Sequence, residues 1–89
     1  MNYDSLTFSE EYFQDFADRK FSPAERARIL KAMGLLDSNE KHPSLRVHAL
    51  AGDLQGLWSA SVTDKIRIHF VRTPDGRKRC VNLSKHYAD

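Results

Sequence analysis

The sequence has a single cysteine, Cys80, among its 89 residues. One cysteine excludes an internal disulfide and offers no Cys-x-x-Cys spacing for a metal, so we expect a reducing compartment. No stretch approaches the ~18 apolar residues of a membrane span. The first residues, Met1 to Asp4, lack the basic and then apolar profile of a signal peptide. The sequence therefore predicts a cytoplasmic protein that does not enter a membrane.

Glycine and proline are also scarce, with four and three residues, and there is no internal repeat or low-complexity tract. A composition of 40% hydrophobic and 29% charged residues is typical of folded rather than disordered chains. A chain of this length has room for only one hydrophobic core. We therefore expect a single domain over residues 1–89.

The net charge of +2 conceals an uneven distribution. Residues 1–40 hold five bases against eight acids, a net charge of −3, whereas residues 65–86 hold seven bases against one acid, a net charge of +6. Concentrated lysine and arginine bind phosphates well, so the basic half favours a polyanionic partner. A solvated surface that keeps a small protein soluble explains the same charges equally well.

Two helices are predicted near the amino terminus. Ser22-Pro23-Ala24-Glu25 has a serine cap, a proline at the first helical position and a glutamate that completes a capping box. Four apolar residues of the helix that follows are expected to face inward: Ile29, Leu30, Met33 and Leu36. A shorter helix from about Glu10 to Arg19 is expected to bury an aromatic stripe: Tyr12, Phe13, Phe16 and Phe21. The short connection between them predicts a helical hairpin.

The strands are predicted from alternation of apolar and polar residues. Strands are expected at Ser5–Phe8, 45–50, Leu57–Thr63, Lys65–Phe70 and Lys78–Ser84. In Lys65–Phe70 the apolar positions are Ile66, Ile68 and Phe70. In the last strand the alternation places Val81 and Leu83 inward and Lys78, Cys80, Asn82 and Ser84 outward. Thr73-Pro74-Asp75-Gly76 predicts a turn between the last two strands, since proline presets one backbone angle and glycine accepts a positive one.

If the helices cover the apolar face of the sheet, regular strands leave four polar side chains on the open face: His48, Arg67, His69 and His86. Imidazoles exchange protons near pH 7, and a guanidinium stabilises the charge that develops on a phosphate under attack. Two proton-transfer groups and one guanidinium are the minimum set for cleaving RNA without a metal.

Structural explanations exist for the same residues. His48 lies beside a glycine-containing turn and can simply bond a backbone carbonyl, and the position of His69 is typical of a surface residue. A metal site from His48, His69, His86 and Cys80 lacks the usual ligand spacings, so no metal is expected. Trp58 can stack a base, yet a lone tryptophan in a small domain usually belongs to the core.

The run from His48 to Ser59, HALAGDLQGLWS, followed by Asp64-Lys65-Ile66-Arg67-Ile68, resembles the RelE/ParE toxin superfamily. The resemblance is closest to the YoeB- and YafQ-type mRNA interferases, whose histidine–tyrosine ending is matched by His86-Tyr87. It implies an α+β, RelE-like fold in which a two-helix hairpin packs on one face of a small, mostly antiparallel twisted sheet. The implied element order is β-α-α-β-β-β-β.

The resemblance also assigns roles to individual residues. His48 falls at the general base, Arg67 at the arginine that contacts the scissile phosphate, and His86 at the general acid. Tyr87 matches the aromatic that orients the nucleotide. Four further residues are expected to bind RNA: Lys65, Lys85, Arg46 and Trp58.

The implied function is that of a toxin in a type II toxin–antitoxin system, a ribosome-dependent endoribonuclease that uses no metal or other cofactor. Its expected partners are a cognate antitoxin, the 70S ribosome and mRNA in the A site. The toxin and antitoxin can also form a hetero-oligomer, which the sequence does not decide. Two alternatives share the fold: a ParE-like poison of DNA gyrase without nuclease activity, and a decayed member that only binds. Ala60 and Ser61 stand where YoeB-like proteins carry basic residues, which lowers the expected affinity for RNA.

Overall fold

The computed structural model describes residues 2–52 and 56–86, which form two helices and five strands. The elements in chain order are β1 Leu6–Phe8, α1 Glu10–Ala17, α2 Pro23–Ser38, a 3₁₀ turn Pro43–Leu45, β2 His48–Ala49, β3 Trp58–Ser61, β4 Ile66–Arg72 and β5 Lys78–Lys85. The predicted order β-α-α-β-β-β-β is confirmed.

The five strands form one sheet in the order β1-β5-β4-β3-β2. Only β1 is parallel to its neighbour, β5, and the other three pairs are antiparallel. The buried side chains of both helices pack with those of one sheet face in a single core: Leu6, Tyr12, Phe21, Ile29, Ala32, Met33, Leu36, Leu45, Ala60, Ile66, Ile68, Phe70, Cys80 and Leu83. This is the α+β arrangement that the resemblance implies, a helical hairpin on one face of a mostly antiparallel sheet.

The start of α2 is the predicted capping box. The Ser22 hydroxyl accepts a hydrogen bond from the Glu25 N–H, and the Glu25 carboxylate accepts one from the Ser22 N–H. These bonds satisfy backbone donors that have no partner within the helix, and the Ser22 backbone bond together with the Lys85 ammonium lowers the pKa of Glu25. The buried face of α2 differs from the predicted one, because Ala32 is buried and Leu30 is 37% exposed.

The aromatic stripe of α1 is only partly buried, which corrects the prediction that all four rings belong to the core. Tyr12 and Phe21 are buried, but Phe16 is half-buried and Phe13 is 59% exposed. The helix ends at Ala17, two residues earlier than expected, and eight residues present only a narrow buried stripe. Phe13 therefore lies at the rim of an apolar surface cavity with Phe8 and Leu30.

The segment before β2 is not the predicted strand. Pro43–Leu45 forms a 3₁₀ turn that His42 caps, since its Nδ1 accepts a hydrogen bond from the Ser44 N–H. Proline favours this turn because its φ is fixed and it has no N–H for a sheet ladder. Arg46 then adopts a left-handed conformation with φ 45°, and the strand is reduced to His48–Ala49.

A β-bulge in β5 reverses part of the predicted alternation. His69 pairs with Asn82 and Phe70 with Cys80, so Val81 is the extra residue. Lys78 and Cys80 therefore face the core side rather than outward, while Asn82 and Ser84, after the bulge, keep the predicted outward face. The buried Lys78 ammonium lies 3.5 Å from the Glu40 carboxylate.

Burial of Cys80 gives a testable consequence. Desolvation raises the pKa of its thiol to about 12, so the reactive thiolate is scarce at pH 8. We expect iodoacetamide to alkylate the native protein at least about 100-fold more slowly than the protein unfolded in urea, because both the thiolate fraction and access are lost. Mass spectrometry of timed samples measures both rates, and similar rates would contradict the buried position.

No helix in the described part of the chain is long and apolar enough to cross a membrane.

Candidate active site

The face of the sheet opposite the helices carries a row of four polar residues across four strands. His48 pairs with Ser59, Ser59 with His69, and His69 with Asn82. Directly opposed residues of antiparallel strands project to the same face. The two predicted imidazoles of His48 and His69 therefore share one surface, with two short polar side chains in the same row.

Arg67 lies in the next row on this face, between Ser61 of β3 and Ser84 of β5. Its Nη1 donates to the carbonyl oxygens of Thr63 and Ile66, in and beside the turn that joins β3 to β4. These two carbonyls orient the guanidinium, and within residues 2–52 and 56–86 Nε and Nη2 have no hydrogen-bond partner. The Ser84 hydroxyl is buried and has no hydrogen-bond partner among the described residues.

His86 continues this face by one more pair. Its N–H donates to the Lys65 carbonyl at 2.8 Å, which extends the β4–β5 ladder beyond the Ile66–Lys85 pair. Because Arg67 pairs with Ser84, position 86 is the diagonal neighbour of Arg67 on the adjacent strand, about 7 Å away between backbones. The side chain of His86 is exposed. The predicted placement of His48, Arg67 and His86 on one face agrees with this register.

The register also sets how far apart these residues lie. With strands about 4.8 Å apart and a rise of about 3.3 Å per residue, His69 is about 7 Å from Arg67 on an untwisted sheet. On the same basis His48, two strands away at the sheet edge, is about 12 Å from Arg67 and about 20 Å from His86. Arg67 is thus flanked by His69 on one side and His86 on the other.

Each of the two imidazoles in the row is oriented through Nδ1. The Nδ1 of His48 lies 2.7 Å from the Arg46 carbonyl oxygen, and that of His69 lies 2.7 Å from the Asn82 amide oxygen. Both oxygens only accept hydrogen bonds, so Nδ1 is the donor in each ring. In the neutral imidazole this leaves the lone pair on Nε2, the form needed to take a proton.

Helix α1 borders this face along the part of β5 that β1 does not reach. Asp15 accepts a hydrogen bond from the Leu83 N–H at 2.9 Å, which satisfies a donor at the sheet edge. Between α1 and β5 lies a surface cavity of about 340 Å³. Its lining comprises Glu11, Asp15, Lys20, His69, Asn82, Leu83, Ser84 and Lys85.

The structure separates the four residues expected to bind RNA. Lys65 is exposed beside His86, and Arg46 is exposed and lies 4.0 Å from the Asp64 carboxylate. Lys85 is held on the helix side, where its ammonium donates to the Lys20 carbonyl and the Glu25 carboxylate. This geometry favours a structural role for Lys85. Tyr87 lies outside the described residues.

Trp58 faces the helix side of the sheet rather than the row of imidazoles. Its ring stacks on Phe70 with centroids 6.3 Å apart, and the Arg72 guanidinium covers it at 4.2 Å. Arg72 forms a two-point ion pair with Glu40, and its hydrogen bonds lower the pKa of that carboxyl. Of the two explanations given for Trp58, this arrangement favours the core.

The resemblance gives no role to His69. The alternation of Lys65–Phe70 already placed it beside Arg67, but its partner Asn82 could not be foreseen, because the pairing depends on the bulge at Val81.

No protein-family model matches the sequence, and no curated protein matches it at the sequence level. Solved structures do match. The YoeB/ParE toxin from Agrobacterium tumefaciens superposes with a TM-score of 0.72 at 17% identity, covering 94% of this chain and 100% of that one. YafQ from E. coli strain BL21(DE3) gives a TM-score of 0.72 at 17% identity, covering 96% and 94%. The chain has the fold of the YoeB and YafQ toxins.

One further match is a toxin in complex with its antitoxin. The YoeB–YefM complex from Staphylococcus aureus aligns with a TM-score of 0.72 at 17% identity, covering 98% of this chain and 100% of that one. The coverage of both chains means that the whole described domain, and not a fragment, shares the toxin fold. At this identity the likeness establishes the fold, and the chemistry must be argued from the residues.

Proposed function

We propose that this protein is the toxin of a toxin–antitoxin pair and acts as an endoribonuclease that cleaves mRNA on the ribosome. The observation that carries the proposal is the position of Arg67 on the open face of the sheet, with histidines on either side of it. This set can supply the two proton transfers and the charge stabilisation that RNA cleavage needs.

In the proposed reaction, a general base takes the proton from the 2′-hydroxyl, and the 2′-oxygen attacks the adjacent phosphorus. The Arg67 guanidinium stabilises the negative charge on the pentacoordinate phosphate. His86 protonates the 5′-oxygen as the bond to phosphorus breaks. The resemblance assigns the base to His48, whose Nδ1 bond to the Arg46 carbonyl leaves Nε2 free to accept the proton. Tyr87 is proposed to orient the nucleotide.

The proposed partners follow from this role. An antitoxin that resembles YefM or DinJ in function would silence the protein, since structural neighbours are recorded in complexes with these antitoxins. The 70S ribosome and its mRNA would present the substrate, which places the activity in the cytoplasm. Lys65 and Arg46, both exposed, are the cations proposed to contact RNA.

Inducing the wild-type protein and the His86→Ala variant in cells tests the proposal. We expect the wild type to stop growth and to produce new mRNA 5′ ends within translated codons. The variant should lose most cleavage, because general acid catalysis typically contributes about 100- to 10,000-fold. Sequencing of mRNA 5′ ends measures both.

Two outcomes would contradict the nuclease. Growth arrest with intact mRNA and blocked replication would favour the alternative, a ParE-like poison of DNA gyrase. Absence of both effects from the soluble, folded protein would favour a decayed binding protein.

A further inference from the structure

His69 is the imidazole whose backbone lies closest to Arg67 among the candidates for the general base. It follows Arg67 by two residues on β4 and shares its face, whereas His48 lies two strands away on the edge strand. A base and an acid that act on one phosphodiester must both reach oxygens bonded to the same phosphorus. The pair that flanks the guanidinium, His69 and His86, meets this condition better than His48 and His86.

We propose that His69 is a catalytic residue whose Nε2 takes the proton from the 2′-hydroxyl, the role that the resemblance gives to His48. This inference rests on the proposed nuclease function and assigns one further residue to it. The 2′-oxygen then bonds to phosphorus, the bond from phosphorus to the 5′-oxygen breaks, and His86 gives its proton to that oxygen. The products are a 2′,3′-cyclic phosphate and a 5′-hydroxyl end, so atoms and protons balance.

Asn82 is the positioning residue for this step. Its amide oxygen accepts a hydrogen bond from Nδ1 of His69 at 2.7 Å, which fixes the ring and directs the basic nitrogen away from β5. The bulge at Val81 is what allows this contact, because it brings Asn82, and not its neighbour, opposite His69. Bulges are known to re-aim side chains next to active sites.

The surroundings of His69 are polar and accessible. The ring opens into the cavity of about 340 Å³ beneath α1, which is large enough to admit part of a nucleotide. The charged groups that line this cavity with His69 are Glu11 and Asp15 from α1, Lys20 from the connection between the helices and Lys85 from β5. Arg67 precedes His69 by two residues on the same strand. Lys85 is paired with Glu25, and Arg67, which shares the sheet face with His69, is the cation assigned to the phosphate.

Single-turnover cleavage of mRNA bound in the ribosomal A site tests the assignment. We expect His69→Gln to lower the rate about 100- to 10,000-fold, the usual contribution of a general base. His48→Gln should lower it less. His42→Gln is the matched control, because the His42 ring is not in the row of the open sheet face and its Nδ1 accepts a hydrogen bond from the Ser44 N–H. Its rate should stay within about twofold of wild type, since surface substitutions usually change stability by no more than about 0.5 kcal/mol. Sedimentation with ribosomes and thermal melts check that binding and folding are kept.

Asn82→Asp provides an independent readout that a merely structural role would not change. A carboxylate opposite Nδ1 favours the protonated ring, so the acidic limb of the pH–rate profile should move to higher pH. Asn82→Leu should lower the rate without that displacement, and nitrogen-detected NMR of the His69 ring should show that it loses the Nδ1–H tautomer preference. An acidic limb that stays in place in Asn82→Asp would overturn the assignment.

The comparison between the two histidine variants decides the outcome. A larger loss of cleavage rate for His69→Gln than for His48→Gln supports the proposal. A smaller loss would show that His48 is the general base and would overturn the proposal. A wild-type protein that does not cleave mRNA at all would overturn the nuclease function itself. That failure is seen in the wild type alone and is thus distinguishable from a wrong choice of base.

Discussion

Arg67→Ala is expected to lower the rate of mRNA cleavage about 100- to 1,000-fold, the usual cost of removing one donor that stabilises a transition-state charge. Arg67 shares the open face with His69 and lies diagonal to His86. Its Nη1 donates to two carbonyls, and no other described residue bonds its Nε or Nη2, which can therefore contact a phosphate. The single-turnover rate on ribosome-bound mRNA measures the effect. Arg67→Lys should recover only a small part of it, since an ammonium cannot make two parallel hydrogen bonds.

Arg77→Ala is the matched control for Arg67→Ala. Arg77 is an exposed arginine just after the turn between β4 and β5, where it pairs with Asp75 at 3.6 Å. Its loss should leave the rate within about twofold of wild type, because exposed ion pairs contribute little and it lies outside the site. Equal losses for the two arginines would mean that the basic half of the chain acts as a diffuse RNA-binding patch rather than through one catalytic guanidinium.

Phe21→Ala is expected to lower the free energy of unfolding by about 3–5 kcal/mol, which combines the lost burial of the ring with the cavity left behind. Phe21 is 1% exposed and lies in the connection between the helices, where its ring contributes to the common core. Domains of this size are stable by only about 5–15 kcal/mol. The urea concentration at which half of the variant is unfolded should therefore be well below that of the wild type. Urea denaturation followed by circular dichroism measures the change.

Phe13→Ala is the control from the same aromatic stripe. Phe13 is 59% exposed, so its truncation should change the free energy of unfolding by less than about 0.5 kcal/mol, as is usual for surface positions. Its ring contacts Phe8 at 5.4 Å between centroids, so the loss is not expected to be zero. Similar losses for Phe13 and Phe21 would show that the stripe is buried as a whole, as the sequence alone suggested.

The local parts of the fold could be predicted because they depend on neighbours in sequence. The capping box at Ser22 needs only residues within one helical turn, and the turn at Thr73–Gly76 needs only a proline and a glycine at fixed offsets. The alternation of Ile66, Ile68 and Phe70 determined which face of β4 is buried, and hence that Arg67 and His69 share the other face. The predicted roles of the site residues remain predictions.

The tertiary structure decided what depends on partners distant in sequence. The extra residue at Val81 places Cys80 in the core and Asn82 opposite His69. No pattern in the local sequence predicts where a ladder of strand hydrogen bonds is interrupted. Phe13 and Leu30 have the spacing of core residues, but whether a helical side chain is covered depends on where the neighbouring elements end. The short strand β2 placed His48 at the sheet edge, away from the ladder of β4 and β5. Spacing along the chain therefore determined which residue types lie on the open face of the sheet, and only the pairing of strands decided which imidazole lies beside the guanidinium.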